Sequence, residues 1–199
     1  MRSLKSQPVV SIGIVAANVI VFIICAMTGS GLYGKGALDT FGVLRQGEYG
    51  RILWSMFLHG GWSHLFNNMV LLLFLGAMIE REAGHFRYAV LYFLSGIGGN
   101  LLSLAFKMFN NDLSSSIGAS GAVFGLDGAL LAMVLFSGRK IEDLSPPKVI
   151  FMIAYSLYNG FAGVNIDNAA HVGGLVTGFM VAGVMCALDR LRDRAFSGK

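Results

Sequence analysis

The sequence predicts an all-α membrane protein with six transmembrane helices. Its 199 residues are 55% hydrophobic and only 13% charged, whereas a soluble domain usually carries about 25% charged residues. The mean hydropathy is +0.66. The charges are clustered, and long uncharged stretches separate them. Such stretches suit helices of roughly 17–25 residues, the length that crosses a bilayer core of about 30 Å.

The uncharged stretches define the predicted spans in order. They lie near residues 9–28, 63–79, 88–107, 118–137, 149–163 and 168–188. The stretches lack the alternating pattern of a membrane barrel, and backbone groups in lipid must be satisfied within each segment, so helices are expected. A single domain over residues 1–199 is the simplest organisation.

Lysine and arginine predict the orientation. With a cytoplasmic N-terminus, eleven of the fifteen basic residues fall on the inner side, in both tails, the 80–87 turn and the 138–148 loop. Because cytoplasmic loops are enriched in positive charge, both termini are expected inside, and a bacterial inner membrane suits this bias. The first apolar core, Val9 to Met27, exceeds the roughly 7–15 residues of a signal peptide, so it is expected to stay in the protein.

Two connections predicted on the outer side differ in length. Residues 29–62 form a long loop that is Gly-rich at first and carries the aromatic residues Tyr49, Trp54, Phe57 and Trp62 towards its end. Since Trp and Tyr favour the membrane interface, this loop is either a partly embedded segment or a surface loop with aromatic anchors. The short connection 160–168 contains glycine and is suited to act as a mobile lid.

The second span carries two polar residues on one face. His64 and Asn68 are four residues apart, so they lie one above the other on a helix. Such groups often hydrogen-bond neighbouring membrane helices, and they are equally able to donate hydrogen bonds to a developing oxyanion. The residues alone leave both interpretations open.

Ser120 and His171 form the main candidate pair. Each lies in a segment apolar enough to span a bilayer, where polar side chains are costly unless they face a partner or water. A serine needs an adjacent base to become a nucleophile, and histidine is the usual one. Gly118 precedes Ser120 at the expected helix start, where the backbone can approach a substrate closely and free amides bind negative charge.

Small residues predict how the fourth and sixth spans meet. Gly121 and Gly125 are four apart, as are Gly174 and Gly178. This spacing is common at membrane helix contacts and is explained by packing alone. Close packing would also bring the two candidate side chains together.

Asp127 is the single charge inside the fourth span. It lies seven residues after Ser120 on the same face, roughly 10.5 Å along the axis, which is too far to orient His171. A carboxyl there is expected to be protonated or paired with a polar group on another helix. We expect first that Asp127 has a structural role, and second that it adjusts the properties of the candidate site.

Taken together, these residues resemble the rhomboid family of intramembrane serine proteases, over nearly the whole chain from Arg51 to Gly178. The matching pieces are His59, His64 and Asn68 in the pattern H-x-x-x-x-H-x-x-x-N, Glu80 and Gly84, Gly118-Ala119-Ser120-Gly121, and Ala170-His171-x-x-Gly174-x-x-x-Gly178. The chain departs from the family pattern at two positions. The family has a Trp before the arginine, where this chain has Gly50, and it frequently has a tyrosine where this chain has Phe124.

The resemblance implies hydrolysis of peptide bonds in or beside the transmembrane segments of membrane proteins. It makes Ser120 the nucleophile and His171 the general base, with the Ser120 amide, His64 and Asn68 as the oxyanion hole. The site would open to the outer side, under residues 160–168 as a cap. Supporting roles fall to His59, which would stabilise the loop above the site, and to Gly118, Phe124, Gly174 and Gly178.

The expected partners are transmembrane protein substrates and membrane lipid. No cofactor or metal is implied, since His59 and His64 lack the H-E-x-x-H arrangement of a zinc peptidase, and the sequence has no nucleic-acid-binding signature.

Two other functions stay open. One is a channel or transporter in which His64, His171 and Asp127 relay protons, although the sequence shows no inverted repeat. The other is a catalytically inactive rhomboid-like protein that binds transmembrane helices, although Ser120 and His171 are both retained.

Overall fold

The computed structural model describes residues 7–29, 31–137, 146–161 and 166–197. Six long helices are present: α1 (Val9–Thr28), α5 (Trp62–Ala83), α6 (His85–Asn110), α7 (Ser120–Phe136), α8 (Pro146–Phe161) and α9 (Asn168–Ser197). Three short helices lie in the first connection: α2 (Gly31–Gly36), α3 (Thr40–Leu44) and α4 (Arg51–Trp54), the last continued by a 3-10 turn, Ser55–Phe57. Leu38 and Ser116 form an isolated antiparallel bridge.

The predicted all-α membrane class is confirmed. Within the described part of the chain, four helices are long and apolar enough to cross a bilayer: α1, α5, α6 and the part of α9 from Asn168 to Ala195. Two apolar helices are shorter, α7 and the Val149–Tyr158 part of α8. Each predicted span coincides with one of the six long helices, and the number of six crossings stays a prediction.

Helix α8 begins before the span predicted near 149–163, and α9 ends after the span predicted near 168–188. Each extension has a local cause. Helix α9 continues to Ser197 instead of ending near residue 188, because its last turns hold Leu, Arg and Ala, which favour helix in water as well as in lipid. Helix α8 starts at Pro146, since the first turn of a helix tolerates proline. Of the predicted lid at 160–168, residues 162–165 lie outside the described part of the chain.

Helix α7 occupies the centre of the bundle. Nearly all of its residues from Gly121 to Ala132 are buried, as expected of a helix that is apolar or small on every side. It packs most extensively on α9 and α6, and it also contacts α5 and α8. Ser120 thus begins a helix that neighbouring protein surrounds over its first three turns, whereas Leu135 and Phe136 near its end are exposed.

Glu80, near the C-terminal end of α5, joins this helix to the start of α1. Pro8 gives the start of α1 no side-chain cap, and the buried carboxylate of Glu80 accepts hydrogen bonds from the amides of Val10 (2.9 Å) and Ser11 (2.8 Å) and from the Ser11 hydroxyl (2.6 Å). It therefore satisfies helix-end donors that would otherwise lack partners. Gly84, with φ +86°, separates α5 from α6.

The first connection is an ordered unit. Arg51 is buried, and its guanidinium donates to the carbonyl of Ala37 (2.8 Å) and to the carboxylates of Asp39 (3.0 Å) and Glu48 (2.6 Å). Arg51 therefore anchors this loop even though Gly50 precedes it. Of the aromatic residues in this loop, Tyr49, Trp54 and Trp62 are exposed, and Phe57 is half-buried.

Candidate active site

Ser120 is the first residue of α7, and the segment before it is held by backbone hydrogen bonds. The Gly118 amide donates to the carbonyl of Ser55 (2.9 Å), and the backbone of Ser116 pairs with Leu38 in both directions (2.8 and 2.9 Å). Gly118 has φ +127°, a conformation that favours glycine because it has no Cβ. The chain can therefore turn sharply into α7 and present Ser120 at the helix start.

His171 reaches Ser120 from the first turn of α9. Its Nε2 atom lies 2.9 Å from the Ser120 Oγ atom, within hydrogen-bond distance. The ring is 5% exposed, and its other nitrogen, Nδ1, has no hydrogen-bond partner among the described residues. The arrangement is a serine–histidine pair in which no carboxylate of the described residues contacts the far side of the imidazole.

Phe124 and Gly160 fix the plane of the imidazole. The rings of Phe124 and His171 are stacked, with centroids 4.2 Å apart and an angle of 23° between their planes. Gly160, near the end of α8, lies so close that a Cβ there would come within 2.6 Å of the Phe124 ring and 3.2 Å of His171 Nδ1. Phenylalanine at 124 thus provides a stacking surface, and α8 closes over it.

Glycines allow α7 and α9 to approach closely enough for the pair to form. A Cβ on Gly174 would collide with the carbonyl oxygen of Gly121, and one on Gly178 with that of Gly125. Backbone atoms cannot give way as a flexible side chain can, so these positions require glycine. The predicted contact between these two helices is present.

His64 lies beside the turn that leads into Ser120. A Cβ on Gly118 would come within 2.7 Å of His64 Nε2, which places the imidazole against this turn. Asn68 is buried one turn deeper on α5, and its Nδ2 donates to the carbonyl of His64 (2.9 Å) on its own helix. The structure therefore brings His64 to the serine segment, while the Asn68 amide is engaged within α5.

His59 lies fully buried in the loop just before α5. Its ring makes an edge-to-face contact with His64, with centroids 5.0 Å apart, and its carbonyl accepts a hydrogen bond from the Tyr33 hydroxyl (2.7 Å). Burial, reinforced by the neighbouring His64, lowers the pKa of His59 to about 4. His59 is therefore neutral at pH 7 and joins α2 to the start of α5.

Asp127 is buried in α7 and hydrogen-bonds Ser156 of α8. This is the pairing with another helix expected from the sequence. Among the described residues, no group of three or more His, Cys, Asp or Glu side chains is arranged to hold a metal ion.

Sequence reasoning missed one polar cluster beside the site, the Asp167 network, formed by Ser103, Lys107, Ser116 and Asp167. The Asp167 Oδ2 atom accepts short hydrogen bonds from the hydroxyls of Ser103 and Ser116, and it lies 3.7 Å from the Lys107 ammonium. Burial opposes charge on this carboxyl, but these donors and the Ala170 amide hold its pKa below the usual range. The one feature of the sequence that could have indicated this cluster is Asp167 itself, a charged residue four positions before His171.

The fold and the site together define an all-α polytopic membrane protein with a serine–histidine pair between closely packed helices. The Rhomboid domain family matches residues 46–188. The chain belongs to the rhomboid family, and the resemblance noted from its motifs is confirmed.

Curated relatives extend the match. Over 159 residues the chain is 39% identical to RHOMBOID-like protein 4 of Arabidopsis thaliana, covering 77% of this chain and 38% of the relative. Over 186 residues it is 33% identical to Rhomboid protease GluP of Bacillus subtilis (strain 168), covering 91% of this chain and 36% of the relative. RHOMBOID-like protein 6, mitochondrial, of Arabidopsis thaliana is 36% identical, over 79% of this chain and 50% of its own length. The chain thus spans half or less of the length of these three relatives.

Proposed function

We propose that this protein is an intramembrane serine protease that cleaves transmembrane protein substrates in or beside their membrane segments. The observation that carries the proposal is the 2.9 Å separation between Ser120 Oγ and His171 Nε2. Membership of the rhomboid family, which includes a relative named as a protease, supports the same chemistry.

In the proposed mechanism, His171 takes the proton of Ser120 as the oxygen attacks the scissile carbonyl. The imidazole later returns this proton to the leaving amine, and water completes hydrolysis of the acyl-enzyme. The stacked Phe124 ring supports the reaction by keeping Nε2 aimed at the hydroxyl. Near-attack geometry of this kind supplies a large part of the rate enhancement in enzymes.

The oxyanion would be stabilised at the start of α7. The Ser120 amide lies among the first amides of this helix, which have no intrahelical acceptors, and the His64 ring lies against the same turn. Asn68 would contribute after its Nδ2 releases the His64 carbonyl and turns towards α7. These three donors form the proposed oxyanion hole, as expected from the motif.

The proposal includes the orientation of the chain in its membrane. Ser120, His171 and the first connection lie at one end of the bundle. The distribution of basic residues in the sequence favours an orientation with this end outside and both termini in the cytoplasm. Water and substrate would then enter from the outer side, beneath the predicted cap. A bacterial inner membrane is the proposed location.

Covalent labelling tests the proposal directly. Purified protein should react with a fluorophosphonate probe at Ser120, and both labelling and cleavage of a transmembrane reporter should be lost in Ser120→Ala and His171→Ala. The exposed Ser63→Ala and the inner-end His85→Ala are matched controls that should keep both activities.

The same measurements separate the alternatives. Equal reporter cleavage by wild type and Ser120→Ala would refute the protease assignment. Proton flux through reconstituted vesicles without labelling would favour the channel, and reporter binding without labelling or cleavage would favour the inactive binder.

A further inference from the structure

The Asp167 network lies where three segments around the proposed catalytic pair meet. Lys107 is buried in α6, with 5% of its side chain exposed, and the side chain of Asp167 is 17% exposed. Buried charges are costly unless they are paired and hydrogen-bonded. Here both conditions hold, because the Lys107 ammonium also donates to the carbonyl of Ser114 (3.0 Å) and to the Ser116 hydroxyl.

On the histidine side, Asp167 caps α9. Its carbonyl accepts the His171 amide (3.2 Å), and its Oδ1 atom accepts the Ala170 amide (2.9 Å). This is the pattern of an N-cap residue, which fixes the first turn of a helix. The turn fixed in this way is the one that carries His171.

On the serine side, the other carboxylate oxygen of Asp167 accepts the Ser116 hydroxyl. Ser116 lies four residues before Ser120, and its backbone is already paired with Leu38. Ser103 and Lys107 hold the same oxygen from α6. One carboxylate therefore connects the start of α9, the segment entering α7 and the outer half of α6.

We infer that Asp167 is a positioning residue for the Ser120–His171 pair. Its carboxylate, charge-balanced by Lys107, holds the serine segment and the first turn of α9 in register, and this holds Ser120 Oγ and His171 Nε2 within hydrogen-bond distance. The inference rests on the proposed protease function. It adds to that function a residue that touches neither substrate nor the reacting atoms.

The test compares Asp167→Ala with Asp112→Ala. Asp112 lies in the α6–α7 connection that also contains Ser116, and its carboxylate accepts the Ser114 amide (2.8 Å). Its removal therefore deletes a carboxylate and a backbone hydrogen bond outside the Asp167 network. For Asp167→Ala, kcat for the reporter and the fluorophosphonate labelling rate should both fall roughly 10–100-fold, the cost of a misplacement of about 1 Å, while KM changes less than about twofold. Asp167→Asn keeps the N-cap and should recover part of the loss. Asp112→Ala should stay near wild type.

A second pair of variants decides the question if Asp167→Ala does not fold. Ser103→Ala and Ser116→Ala each remove one hydrogen bond to the same oxygen, but only Ser116 belongs to the segment that carries Ser120. Ser116→Ala should slow labelling more than Ser103→Ala does. Equal effects, or no effect of either, would overturn the positioning role.

The outcomes also separate this inference from the function on which it rests. Wild type that labels and cleaves, together with an equally active Asp167→Ala, would reject the positioning role and leave the protease standing. Wild type that neither labels nor cleaves would reject both.

Discussion

Ser120 and His171 meet because each stands at the beginning of its own helix. Ser120 opens α7, and His171 lies in the first turn of α9, so both side chains lie at the same end of two closely packed helices. The first amides of a helix also lack intrahelical acceptors. The position that brings the proposed nucleophile and base together would therefore also supply backbone donors for the proposed oxyanion hole.

Asn68 provides the sharpest test of the proposed oxyanion hole. Asn68→Ala should lower kcat by about 10²–10³, the usual cost of one lost oxyanion donor. Thermal stability should change little, because among the described residues the Asn68 Nδ2 atom donates only to the carbonyl of His64 on its own helix. Reporter turnover and thermal unfolding should be measured together. Exposed Asn67→Ala is the matched control, and a comparable loss in that variant would contradict a specific role for Asn68.

Asp127 distinguishes the protease from a proton relay. Asp127→Asn keeps the size of the side chain and its ability to hydrogen-bond Ser156, so labelling of Ser120 and reporter cleavage should stay within about twofold of wild type. A relay would need the ionisable carboxyl. A large loss of cleavage in a variant that is still folded would show that Asp127 takes part in the chemistry.

At this scale the sequence predicted the residues whose neighbours lie along one helix or follow a motif. Ser120, His171 and the stacking Phe124 belong to that set. The links of Asp167 to Ser103, Lys107 and Ser116 join segments far apart in the chain, and no periodic pattern indicates such contacts. The hydrogen bond from the Asn68 side chain to the His64 carbonyl could not be predicted either, because it depends on the rotamer that Asn68 adopts.

At the scale of helices, glycine determines which elements touch. Lipid provides little hydrophobic drive for helix association, so close backbone packing has to supply it. The spacing of small residues predicted the contact between α7 and α9. It did not reveal that Gly98 and Gly99 of α6 lie against Gly173 on another side of α9, because adjacent glycines do not form the four-residue pattern.

Gly178→Ala tests this packing. The added methyl would meet the backbone of Gly125, so α9 must shift, and overpacking of this kind costs about 1–3 kcal/mol. The variant should unfold at lower temperature and label more slowly. Gly183→Ala is the control on the same helix, where the nearest atom to a new Cβ lies 3.8 Å away; it should match or exceed wild-type stability. Equal stability of the two variants would contradict the account.

At the scale of the whole molecule, Glu80 joins α1 to the rest of the bundle. Glu80→Ala removes three hydrogen bonds to the start of α1, and bonds to charged groups contribute about 1.5–3 kcal/mol each. The thermal midpoint should fall by several degrees. Exposed Glu82→Ala, two residues along the same helix, should leave it unchanged. A fall of the same size in both variants would show that the effect is general to this helix end.

The enclosure of α7 by neighbouring helices has a consequence for how the surrounding lipid influences the protein. Fatty-acid chains would touch mainly the peripheral helices, whereas the first three turns of the helix that begins with Ser120 are enclosed by protein. Changes in the acyl length or headgroup of the lipid would therefore act first on how a transmembrane substrate diffuses through the bilayer to the proposed site. The proposed bond-breaking step would take place in surroundings that the protein carries with it from one membrane to another.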